Sequence, residues 1–117
     1  MTESGLPRDD ELEGFVRDYL VSFAAWDMLV LLHAQPDLAD SLSGLAFRLG
    51  RAERDVREAS RAMIEGGLLV PMAGEEQDVF GVTSDPHMLE LLERFVEASS
   101  ERDWRLDLVR RVLNRLV

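Results

Sequence analysis

Leu12, Phe15, Val16, Tyr19, Leu20 and Phe23 recur at spacings of three and four, the period of a helix with one buried face. Asp9 and Asp10 precede this row and can cap the helix, because a short carboxylate accepts the first free backbone N–H groups. The stretch from Trp26 to Ala34 is almost continuously apolar and stops at Gln35-Pro36. It reads either as a kinked continuation of the first helix or as a separate helix, and both readings put it in the core. Asp37 to Asp40 reads as a loop. Ser41 or Ser43 can start a short helix carrying Leu42, Leu45, Ala46 and Leu49, with Gly50 as its stop.

The most informative segment is Ala52 to Glu65. At 100° per residue Ala52, Val56, Ala59 and Met63 share one face, and Arg54, Arg57, Glu58, Arg61 and Glu65 lie opposite. Gly66-Gly67 ends it. Leu68 to Val70 and Asp78 to Val82 then predict two short strands, with Pro71 to Gln77 as the turn between them. Thr83-Ser84-Asp85-Pro86 supplies a cap with proline at the first helical position. Helical periodicity continues from there to the end, with Ser99-Ser100 as the single possible break.

The expectation is a mainly α chain with one small β-hairpin. Residues 1–8 form a loose arm, residues 9–117 a single domain, and one or two C-terminal helices cover 86–117. Length agrees, since 117 residues fit one domain with one core. Charge changes the picture further: 23 acids face 13 bases, for a net charge of −10, and every base is arginine. Such a surface repels phosphate at long range. Two stretches run the other way, with five arginines against four acids over residues 48–65 and four against one over residues 105–117. There is no cysteine, which excludes disulfides, thiolate metal sites and cysteine nucleophiles. The N-terminus has neither a basic start nor an apolar core, and no uncharged apolar stretch approaches the ~20 residues of a membrane span. Neither export nor membrane insertion is expected, and cytoplasmic is the default.

The run Ser43-Gly-Leu-Ala-Phe-Arg-Leu-Gly50, then Val56 to Met63, then Glu65-Gly-Gly-Leu-Leu69 resembles the helix-turn-helix and wing of bacterial regulators of the ArsR and MarR type. The resemblance spans about residues 22–96. It implies a winged helix-turn-helix, with the helix-turn-helix over about 41–66, the wing over about 68–82 and additional N- and C-terminal helices. It also implies a DNA-binding transcriptional regulator whose second helix enters the major groove. The matching side chains are Arg51, Glu53, Arg54, Arg57, Glu58 and Arg61, and arginine can donate two hydrogen bonds to guanine or one to phosphate. A second interpretation stays open, in which Arg54 with Glu58, Arg61 with Glu58 and Arg61 with Glu65 are ion pairs of a solvated helix. The wing departs from the family, since Glu75, Glu76 and Asp78 would oppose phosphate. That acidity favours the alternative function, a non-catalytic protein–protein interaction module.

Met88, Leu92, Phe95, Ser99, Arg102, Leu106, Val109, Leu113 and Leu116 follow a heptad seam. Trp104, Leu108 and Val112 form a second apolar row, more than one small core is expected to cover. A homodimer through the first and last helices follows as an expectation, its interface drawn from Phe15, Tyr19, Leu92, Phe95, Trp104, Leu106, Val109, Leu113 and Leu116. Trp26 and Trp104 read as core or dimer anchors. A small-molecule sensor would take its ligand between the Trp26 helix and the C-terminal helix. Catalytic residues, metal and cofactor are not expected: His33 reads as a packed histidine, Asp85, His87 and Glu90 as a capped helix start, and no phosphate loop is present.

Overall fold

The computed structural model describes residues 9–72 and 78–116. The proposed arm and the hairpin acids Glu75 and Glu76 lie outside the described residues. The elements are α1 (Asp10–Tyr19), α2 (Phe23–Ala34), β1 (Ala39–Asp40), α3 (Leu42–Leu49), α4 (Glu53–Glu65), β2 (Leu69–Met72), β3 (Val79–Val82), α5 (Pro86–Ser99) and α6 (Arg102–Arg115). The chain is mainly helical, with a small antiparallel sheet in the order β1-β3-β2.

α1 starts where its cap predicts, the Asp9 carboxylate accepting the N–H groups of Glu11 and Leu12 at 3.1 and 3.2 Å. It ends earlier than its apolar row. Leu20 leaves the helical region at φ −86°, ψ 67°, and the Ser22 hydroxyl accepts the Ala25 N–H at 3.1 Å to open a separate helix. Phe23 therefore begins α2 instead of ending α1. α2 is the central helix, burying Ala24, Ala25, Met28, Leu29 and Leu32, which is why its sequence lacks a polar face.

α3 is capped by Ser41, whose hydroxyl accepts the Gly44 N–H at 3.1 Å. It closes on Gly50 at φ +67°, with the Arg51 N–H donating back to the Ala46 carbonyl. α4 buries Val56, Ala59 and Met63 as its period predicts, and Ser60 beside them; Ala52 is exposed. The Ser60 hydroxyl stays satisfied by donating to the Arg57 carbonyl at 3.0 Å. After α4, Gly67 takes φ +82°, while the Leu68 and Gly67 N–H groups return to the Met63 and Ile64 carbonyls. This Schellman closure turns the chain directly into β2.

The predicted hairpin is present: Leu69 pairs with Val82 and Met72 with Val79. β2 runs through Pro71 into residues expected in the turn, which proline permits because β2 is an edge strand. The loop expected at Asp37–Asp40 is instead half strand, since Ala39 and Asp40 pair with Gly81 and Phe80. Two residues are too few for a period to reveal.

α1, α2, α4 and α5 enclose the core, with α3 on α4 and α6 on α5. Its aromatic centre links Phe15 to Tyr19 and Phe95, and Phe95 to Trp26, with ring centroids 5.0 to 6.1 Å apart. The heptad seam is not one helix. It breaks at Ser100-Glu101 between α5 and α6. Ser99 is buried with its hydroxyl on the Val96 carbonyl. α6 turns Trp104, Leu108 and Val112 inward, and Arg111 fastens it to α1 through both Glu13 oxygens at 2.6 and 3.1 Å. That bidentate pair, more than the burial opposing it, raises the Arg111 pKa.

Candidate functional site

The inward row of α4 fixes the roll of that helix, and the roll places Glu53, Arg54, Arg57, Glu58, Arg61 and Glu65 in solvent. Arg57 donates from Nε and Nη2 to one oxygen of Glu53, at 2.9 and 2.6 Å. Arg54 and Arg61 form no ion pair among the described residues. The expected pairs of Arg54 and Arg61 with Glu58 and Glu65 are therefore replaced by Glu53–Arg57. In Glu53–Arg57 the acid lies four residues before the base, the better arrangement on a helix. Both residues of the pair are mainly exposed, at 45% and 59%.

Arg51 is not part of this free row. Its Nε donates to Asp27 of α2 at 2.6 Å, and Arg48 donates to Asp40 of β1 at 3.0 Å. Two of the five arginines in the basic stretch are thus matched by acids from distant segments. Arg48, followed by a Ser41 N–H at 2.7 Å, holds the Asp40 carboxyl below its ordinary value.

Beside α4 lies an open hollow of about 320 Å³, lined by Ser41, Leu42, Ser43, Arg57, Asp78 and Phe80. It joins the start of α3, the middle of α4 and β3. Asp78 is exposed at its edge, so the described part of the hairpin adds a negative charge there. Sequence periodicity missed Phe47, which stands 88% exposed on α3. The available signal was its position, outside the Leu42, Leu45, Ala46 and Leu49 row.

Space between Trp26 and the C-terminal helices, proposed for a ligand, is occupied by Phe95 against the Trp26 ring. An open groove of about 430 Å³ lies elsewhere, on the α2–α3 side, and includes Trp26, Val30, Leu31, Ala34 and Leu49. His33 is exposed and not packed. His87 faces Glu11 at 3.1 Å, away from the trio considered with Asp85 and Glu90. Among the described residues no group of three His, Cys, Asp or Glu side chains could hold a metal ion, and no helix is long and apolar enough to cross a membrane.

The proposed dimer residues divide sharply. Phe15, Tyr19, Leu92, Phe95 and Trp104 are buried in the chain's own core and cannot face a second copy while the domain is closed. Leu106, Leu113 and Leu116 are exposed, at 53%, 49% and 65%, and Val109 is half-buried between them. Periodicity identifies an apolar row without saying what covers it, and here the chain itself covers the larger half. No profile of a known protein family matches the chain, and no curated protein matches it.

Proposed function

We propose that the chain is a winged helix-turn-helix regulatory protein that binds duplex DNA through α4. The order α2, β1, α3, α4, β2, β3 supports this, with the strands arranged β1-β3-β2 and a left-handed Gly50 closing α3 before the turn into α4. The observation that carries the reading is the solvent-facing set Arg54, Arg57 and Arg61, on a helix whose opposite face is locked by Val56, Ala59, Ser60 and Met63. The Glu53 pair does not disqualify Arg57. An exposed pair of this kind is worth about 0.2–1 kcal/mol, whereas a bidentate arginine–guanine contact discriminates by about 1–3 kcal/mol. Binding therefore releases Arg57 from Glu53 at a small cost.

The test is fluorescence anisotropy of a mixed-sequence duplex titrated with the protein over a range of salt concentrations. Three arginines on phosphates give a slope of log K against log salt of about −3, and each one on a base edge instead makes it shallower. Arg54→Ala and Arg61→Ala each weaken binding, and a lost phosphate contact reduces that slope by about one. Absence of binding at low salt, or indifference to both substitutions, removes the DNA reading. One observation favours a second reading, a non-catalytic protein-interaction module: α4 carries Glu53, Asp55, Glu58 and Glu65 against three arginines. A silent duplex titration with an intact fold would favour that module.

A further inference from the structure

α6 has two apolar rows, and among the described residues the fold buries one of them fully. Trp104, Leu108 and Val112 are buried at 6%, 0% and 0% exposure. Leu106, Val109, Leu113 and Leu116 face away at spacings of three, four and three, a coiled-coil seam. At 100° per residue this outward stripe covers about 80° of the helix, with Arg102 inside that arc and Arg105 and Arg110 at its borders. Arg102 and Arg105 make no ion pair among the described residues. Arg110 reaches only Asp107, at 3.6 Å, and that carboxylate already holds Arg111 at 2.9 Å. In a chain of net charge −10, this apolar stripe is bordered by three arginines against one exposed acid, Asp103.

We propose that the outward stripe of α6 docks an amphipathic helix of another protein whose apolar row is bordered by glutamate or aspartate. Charge selects this occupant. In a parallel pair of two copies, Arg102 meets Arg102 at a seam position one turn from the Leu106 pair. In an antiparallel pair centred between Val109 and Leu113, Arg110 meets Arg110. Both arrangements set like charges beside a newly desolvated seam, which opposes association. An anionic membrane is disfavoured by the adjoining α5, whose exposed Glu90, Glu93 and Glu97, followed by Glu101, carry no ion pair among the described residues. An acid-bordered helix satisfies the leucines and the arginines together. The proposal is independent of what α4 binds.

The experiment titrates the full chain with two synthetic helical peptides of about three heptads, with leucine at the seam positions and either glutamate or lysine on both borders. Glutamate peptide is expected to bind at least about ten-fold more tightly, the effect of a few charge pairs at about 0.2–1 kcal/mol each. Leu106→Ser with Leu113→Ser abolishes binding while the chain stays folded at the assay temperature, as its circular dichroism spectrum shows, because both side chains are half in water. Arg102→Glu with Arg105→Glu and Arg110→Glu reverses the preference to the lysine peptide. The proposal is overturned if neither peptide binds, if both bind equally, or if the serine pair binds as the native chain does. Sedimentation as a dimer that the serine pair dissolves, or flotation with phosphatidylserine vesicles that the same pair abolishes, would also overturn it.

Discussion

Leu108 and Leu113 sit on the same helix five residues apart, and truncating each to alanine should give very different results. Leu108 is fully buried, so Leu108→Ala loses its transfer energy and leaves a cavity, at about 2–5 kcal/mol. A chain of 117 residues unfolds with an entropy near about 0.25 kcal/mol/K. A loss of about 3 kcal/mol therefore lowers the melting temperature by about 12 °C. Leu113 keeps half its surface in water, and removing the remainder costs about 1 kcal/mol or less, a shift of about 4 °C at most. Circular dichroism melts at two protein concentrations measure both. An equal loss at the two positions would refute the assignment of faces on α6. A Leu113→Ala effect that grows with protein concentration would show that a second copy covers the stripe.

Arg111→Ala should cost about 1 kcal/mol through the lost bidentate contact, and Arg111→Lys should restore less than half in urea melts, since one ammonium cannot span both Glu13 oxygens as the guanidinium does. Gly67→Ala should destabilise by about 1–2 kcal/mol because φ +82° is costly for any residue with a Cβ, and a neutral result would show that the turn after α4 differs. Asp40 has a lowered pKa, so its ionised form stabilises the fold above the ordinary value of 3.8 and that contribution fades as pH falls through the lowered value. Native chain and Asp40→Asn should accordingly differ in melting temperature at neutral pH and converge in acid; a constant difference would contradict this. Arg54→Ala and Arg61→Ala should leave stability within about 0.5 kcal/mol, which separates their effect on duplex binding from any effect on folding.

What could be read from the sequence was local. The Asp9, Ser41 and Pro86 starts, the Gly50 and Gly67 stops and the inward row of α4 each arise from residues within a turn or two of one another. Contacts between distant segments could not be read this way. Asp27 neutralises Arg51 across 24 positions, and β1 exists only because β3 lies beside it. The same limit explains the dimer expectation. Phe15, Leu92, Phe95 and Trp104 were recognisable as apolar positions needing cover, yet only the packing of α1, α2, α5 and α6 identifies the chain itself as that cover. Phe47 is the converse, a large apolar side chain in water whose departure from the helical row was a signal that the periodicity passed over.

The two-residue β1 has a mechanical consequence. Its Asp40 pairs through the backbone with Phe80 of β3, while its carboxylate holds both the Ser41 N–H and Arg48, at opposite ends of α3. A displacement of β3 is therefore passed to both ends of α3 through this one residue. In hydrogen–deuterium exchange the β3 amides and the first turn of α3 should open together, as one unit.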